Sequence, residues 1–206
     1  MSKPSVSKVT KGTITLALTT ILVLAACSQG NGSFGNRDYK QAQAAAREWR
    51  PDAYAVSYDF MWRSLKGKDV VGEIPDELSI GFVSPSTNQH LAYTINKQRQ
   101  VIGYSPDKLP PDVPIETLIE VSLSEWRIDY NQALKIIEAE GGAEFRLAGE
   151  GVIASIEYGY AVGGPFKGEK VILGTYSASF PDGRDELAFY LDPMDGTILH
   201  KQRLGR

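Results

Sequence analysis

Asp129-Tyr130-Asn131-Gln132-Ala133 repeats, ninety-one positions on, the pentad Asp38-Tyr39-Lys40-Gln41-Ala42. Each pentad puts Asp where a helix N-cap would stand and Gln three residues later, a capping-box variant whose side chains satisfy N–H groups at a helix start. Behind the first, Ala42, Ala45, Ala46 and Trp49 fall at helical spacing until Pro51. Behind the second, Ala133, Leu134, Ile136 and Ile137 form an apolar stripe that stops at Gly141-Gly142. A fixed offset between two helix starts predicts one unit used twice.

Strand signals follow both helices. In the first half, residues 53–62 alternate with Tyr54, Val56, Tyr58, Phe60 and Trp62, and 78–83, 90–96 and 101–104 read as three further short strands. In the second, 152–162, 170–180, 186–191 and 197–202 repeat that order, punctuated by the hairpin turns Pro181-Asp182-Gly183 and Asp192-Pro193-Met194-Asp195-Gly196. The predicted fold class is α+β: two tandem units over 38–105 and 118–206, each one helix packed on an antiparallel sheet of about four strands. Residues 106–117, with four prolines by position 114, read as a stiff linker. One helix cannot cover both faces of a sheet, so each unit leaves a face for solvent, its sister unit or a partner.

Ahead of the first helix the chain reads as an address. Residues 1–11 hold Lys3, Lys8 and Lys11 and no acid, and from Ile14 to Ala26 the chain is uncharged. This apolar run falls short of the roughly 20 residues a membrane-spanning helix needs, which favours a signal peptide over 1–26. It ends in Leu24-Ala25-Ala26-Cys27, then the Gly/Ser/Asn-containing stretch 27–37 that reads as a tether. The four residues resemble the lipobox of bacterial lipoproteins. That resemblance implies a mature chain beginning at Cys27, carrying a diacylglyceryl thioether and an acylated amine, and sitting in the cell envelope facing periplasm or exterior. Two or more acyl chains give stable anchoring. Ser28 lacks the Asp that in enterobacterial lipoproteins signals inner-membrane retention.

Composition bounds the chemistry of what remains. Of 206 residues, 42% are hydrophobic and 23% charged, enough apolar content for a core. The single cysteine forms no internal disulfide and supplies no multi-cysteine zinc site. Removing the signal takes three of the 22 basic residues and no acid, leaving 19 against 25, a formal −6. Nucleic acid is therefore not an expected partner, and anionic lipid gives the folded part no electrostatic help.

The second half also resembles the PepSY domain family of bacterial envelope and secreted proteins. The residues that carry the likeness are Trp126 to Leu134, matching that family's acidic-then-Ala-Leu opening, and Phe189 to Leu199, matching its closing strand, Asp, turn, Gly, strand. In the first half Asn96-Lys97-Gln98-Arg99-Gln100 replaces the closing turn, so its membership rests on the repeat. The tandem arrangement is similar to the beta-lactamase inhibitor protein fold, with no shared motif. The PepSY resemblance implies a binding or inhibitory module without catalytic machinery or cofactor.

Other candidate chemistry is sparse. His90 and His200 could pair on a metal only if two distant strands met. Asp185, Asp192 and Asp195 offer oxygen ligands for Ca²⁺, but turn geometry explains the last two. Ser64, Ser155 and Ser179 lack a nucleophile-elbow setting, and the Gly163–Gly168 loop lacks the Lys-Ser/Thr and helix of a phosphate cradle. The aromatics Tyr54, Tyr58 and Trp62, with Tyr158, Tyr160 and Tyr176, read either as core under the helix or as a partner-binding surface. The expectation is a non-enzymatic lipoprotein binding a protein or peptide partner, by protease inhibition or chaperoning in its most specific form. An assembly component of the outer envelope is the alternative, and a metal-dependent hydrolase is opposed by the scarcity of His.

Overall fold

The computed structural model describes residues 34–205 apart from Lys66, Lys68, Asp112, Gly163 and Asp182. Cys27, the lipobox and the signal peptide lie outside the described residues. The chain is α+β, with one antiparallel sheet of eight strands. Helix α1 (Asn36–Trp49) precedes β1 (Tyr54–Arg63), β2 (Glu77–Ser84), β3 (Gln89–Asn96) and β4 (Val101–Lys108). Helices α2 (Tyr130–Ile137) and α3 (Ala143–Ala148) precede β5 (Glu150–Tyr160), β6 (Lys170–Phe180), β7 (Gly183–Leu191) and β8 (Ile198–Leu204).

The strand order is β4-β3-β2-β1-β5-β6-β7-β8. Two hairpin meanders run outward from a central pair, in which β1 and β5 align Tyr58 with Tyr158 and Phe60 with Ile156. Two separate four-stranded sheets were expected. Instead, the inner edges of the two meanders satisfy each other's backbone groups, so neither is left as an exposed template.

Among the described residues the three α-helices cover one face. On that side β1 contributes Tyr58, Phe60 and Trp62, β2 Leu78, Ile80 and Phe82, β5 Ala154, Ile156 and Tyr158, and β7 Leu187, Phe189 and Leu191. The helices meet this layer in two ways. α1 presents Ala42 and Ala46, both fully buried, to bulky strand residues. α2 presents Ile137, and here the sheet yields: a Cβ on Gly174 would stand 2.0 Å from the Ile137 Cδ1. An aromatic cluster seals the junction, with Phe60 stacked on Tyr130 at 4.6 Å and Tyr158 edge-on to Phe60 at 5.8 Å and to Trp126 at 5.0 Å.

Three boundaries differ from the sequence reading, and one short helix is added to it. α1 begins two residues before Asp38, with Gly35 as its N-cap. Asp38 stands at the third helical position, where its carboxylate accepts the Gly35 N–H at 2.8 Å. Phe34, placed in the tether by its neighbours, is buried in the core, so the tether ends before it. The second capping box forms as the pentad predicts, with Asp129 and Gln132 bonding each other's backbone N–H at 2.8 and 2.9 Å. That helix breaks at the glycines as expected, though the chain does not leave helical structure for good. Gly141 turns the chain at φ 110°, and α3 follows. Finally β4 runs on to Lys108, so Pro106 pairs opposite Leu91 in an edge strand, where a missing N–H is tolerated.

Candidate functional site

The helix face takes most of the aromatic residues that could have formed a recognition surface. Trp62, Tyr158 and Tyr176 are each at most 2% exposed. Their polar atoms are used internally: the Trp62 indole donates to the Glu73 carbonyl at 3.1 Å, and the Tyr158 hydroxyl donates to the Ile128 carbonyl at 3.0 Å. Tyr176 donates to the buried Glu138 carboxylate, which Arg146 grips through two bonds at 2.7 and 3.2 Å. Burial raises the hydroxyl pKa values of Tyr158 and Tyr176. These three residues are core, not a partner surface. Tyr58 is half-buried and packs edge-on against Tyr39 of α1 at 5.7 Å.

Tyr54 leaves the group for a different reason. Period-two alternation would put it on the same face as Tyr58, but a bulge between Ala55 and Ser57 inserts Val56 as an extra residue. Ala55 therefore faces the helices, while Tyr54 faces the opposite side with its partner Val83. Its hydroxyl donates to the Leu118 carbonyl at 2.9 Å. Tyr160, at the end of β5, is half-buried and lines the groove described next.

The face without helices is polar along the middle and apolar at one end. Its midsection carries hydroxyl pairs across neighbouring strands, Ser79 with Thr94 at 3.0 Å and Ser155 with Thr175 at 2.8 Å. Toward the end where β1 begins and β5 finishes, Val83 and Val171 are buried although they lie outside the main core. What covers this end is the chain between β4 and α2. Leu109 N–H donates to the Asn88 carbonyl and Val121 N–H to the Ala55 carbonyl, pinning the segment as it passes from one face to the other.

Between this segment, the open sheet face and the β5–β6 connection lies a groove of about 510 Å³. Its floor is Ser57, Gly81 and Gly159, its walls include Val56, Leu118, Val162 and Leu173, and His90, Tyr160 and Tyr190 also border it. The glycines keep the floor low: a Cβ on Gly81 would be 2.7 Å from the Ser57 Oγ. Volumes of roughly 300–1,000 Å³ with mostly apolar walls and a few polar groups are typical of ligand sites.

One lining residue is acidic, and among the described residues no Lys or Arg lines the groove. Glu157 stands in β5 directly opposite Asp59 in β1. Its Oε1 lies 4.0 Å from where a Gly159 Cβ would be, so the carboxylate leans toward the groove floor. Desolvation raises the pKa of Glu157. Asp59 is pushed up to about 7, by desolvation first and then by the charges of Glu157 and Glu77, with Arg63 acting the other way. That arginine is committed to Glu77 through two bonds of 3.0 Å. Asp59 Oδ1 and His90 Nδ1 are enclosed with no hydrogen-bond partner among the described residues. The site therefore combines an apolar trough with a desolvated acid pair, an arrangement suited to holding a ligand.

The remaining candidates do not converge. His90 and His200 are on β3 and β8, six strand positions apart in the sheet. His200 packs near Phe166 and Tyr190. Asp192 and Asp195 accept backbone N–H groups of their own turn, from Met194 and Thr197, while Asp185 pairs with Arg203. Among the described residues no group of three His, Cys, Asp or Glu side chains could hold a metal, and no helix is long and apolar enough to cross a membrane. Sequence reading missed Asp59, Glu157 and the groove. The available signal was the polar alternation Ser57-Asp59 and Ser155-Glu157, interleaved with the more conspicuous aromatics.

No protein-family model matches the chain, and no curated protein matches it. Among solved structures, a crystal structure of a protein from Clostridium difficile 630, described as a candidate lipoprotein, aligns with a TM-score of 0.48 at 16% identity, covering 81% of this chain and 92% of that one.

Proposed function

We propose that this is an envelope lipoprotein, anchored through Cys27, that binds a protein or peptide partner in the groove on the open sheet face and catalyses no reaction. The observation that carries the binding reading is the groove itself: an apolar trough of about 510 Å³ on the face the helices leave uncovered. The anchor rests on Leu24-Ala25-Ala26-Cys27 and the basic, then apolar, segment before it. We read the two runs of helix then four-stranded meander as tandem PepSY-like units, a reading supported by the strand order mirrored about β1 and β5. Inhibition or chaperoning of an exported partner is its most specific form.

A second reading, an assembly component of the outer envelope, is favoured by edge strand β4. Its Val101, Ile102 and Tyr104 are all exposed, and an open edge accepts an added strand. Photo-crosslinking separates the two. A benzophenone amino acid at Val162, which is 60% exposed at the groove, should capture a partner in intact cells, whereas one at Ile102 should not. Capture from Ile102 alone would transfer the function to the edge, and capture from neither would remove both readings. Cys27→Ala should release the protein from the membrane fraction and abolish labelling with a lipid precursor.

A further inference from the structure

The geometry points to the chemistry of the partner: we infer that the groove takes an extended peptide segment in which an apolar side chain is followed by a Lys or Arg, the apolar group filling the trough and the cation lying against Glu157 and Asp59. This inference rests on the groove being the partner site. Its support is charge complementarity. The trough has one acid, Glu157, among its described lining residues and no Lys or Arg, and that acid leans toward the floor at Gly159. A desolvated carboxylate without a cation is costly, and an incoming ammonium or guanidinium relieves that cost. Arg63 does not serve this purpose, because Glu77 holds it. His90, the other titratable side chain on the wall besides the tyrosines, keeps a ring nitrogen without a hydrogen-bond partner among the described residues.

Other occupants fit less well. A second copy docking the same face by two-fold symmetry would bring together two grooves that each carry an acid and no Lys or Arg among their described lining residues. The anionic headgroup of a lipid would meet the same carboxylate. A small amine would neutralise the charge, but Ile119 and Val162 at the rim are 43% and 60% exposed, apolar surface that a polypeptide would cover and a small molecule would not.

The test uses the full mature chain in nanodiscs of zwitterionic lipid, with empty nanodiscs as blank. Three fluorescent probes are titrated: a short blocked peptide alternating leucine and lysine, its counterpart with glutamate for lysine, and an alkylammonium. The lysine peptide should bind at least about tenfold more tightly than the glutamate peptide, and Glu157→Gln, isosteric and neutral, should weaken it by about tenfold. Asp59→Asn should weaken it less. Equal binding of the two peptides, no loss in Glu157→Gln, or binding of the alkylammonium without the peptide would each overturn the inference. Gly159→Leu, checked for fold by circular dichroism, fills the floor and should abolish peptide binding and the Val162 cross-link together. If Gly159→Leu removes the cross-link while Glu157→Gln changes nothing, the groove stands as the partner site and the charge preference falls. If Gly159→Leu leaves the cross-link intact, the groove reading fails as well.

Discussion

On β1, positions 58, 60 and 62 are Tyr, Phe and Trp packed beneath helices, whereas positions 57, 59 and 61, pointing the other way, are Ser, Asp and Met. The same contrast holds across the junction on β5, where Ala154, Ile156 and Tyr158 alternate with Ser155, Glu157 and Gly159. One side is filled with large groups and closed by hydrogen bonds that reach the helices and their connections. The other combines hydroxyl pairs, glycines and the desolvated acids Glu157 and Asp59. The difference separates stability from recognition: changes on the helix side should act on folding, and changes on the open side should act on binding. Three single substitutions and one double variant test how sharply that division holds.

The largest effect is expected from Trp62→Ala. Trp62 is 1% exposed, and truncating a buried Trp removes its transfer free energy and leaves a cavity, a loss of about 4 kcal/mol. Urea unfolding measures it, and binding of the lysine peptide by the fraction still folded should not change. Weakened peptide binding with undiminished stability would place Trp62 in the recognition surface and break the division at its centre. A smaller loss, about 3 kcal/mol, is expected from Arg146→Ala, which strands the Glu138 carboxylate in the core beside Tyr176. Pairing Arg146→Met with Glu138→Leu should recover most of it, because removing both charges leaves no buried ion without a partner.

The helices and hairpins were legible in the sequence because their signals are local. Asp129 and Gln132 cap a helix wherever it packs, and Asp192 to Gly196 turn the chain through their own side-chain bonds. What could not be read depends on distant pairing. Val56 is indistinguishable from an ordinary strand residue until β2 and β5 fix the register around the bulge, so the aromatic run from Tyr54 to Trp62 looked like one face. Phe34 looked like tether because its burial depends on Phe60, twenty-six residues on. The acid pair is the clearest case. Asp59 and Glu157 are ninety-eight residues apart and become neighbours only through the β1–β5 pairing, so neither marked a site by its own surroundings in the chain.

That pair supplies the finest test of the division, because its effect on stability has a sign set by pH. With its carboxyl pushed up to about 7 in the folded chain, against 3.8 as the ordinary value, Asp59 binds its proton more tightly when folded than when unfolded. The preference stabilises the fold fully below about pH 4 and is lost as pH rises through 7, where the folded chain must carry a desolvated charge next to Glu157 and Glu77. Asp59→Asn removes that charge at every pH. It should leave stability near the wild-type value at pH 4 and raise it by about 2 kcal/mol at pH 8, measured by urea unfolding at both. The gain at pH 8 should come with weaker binding of the lysine peptide, since Asp59 stands opposite Glu157 and adds negative charge beside the groove. A variant that loses stability at pH 8 would mean that Asp59 already has an internal partner, and the open face would then resemble the helix face more closely than its residues suggest.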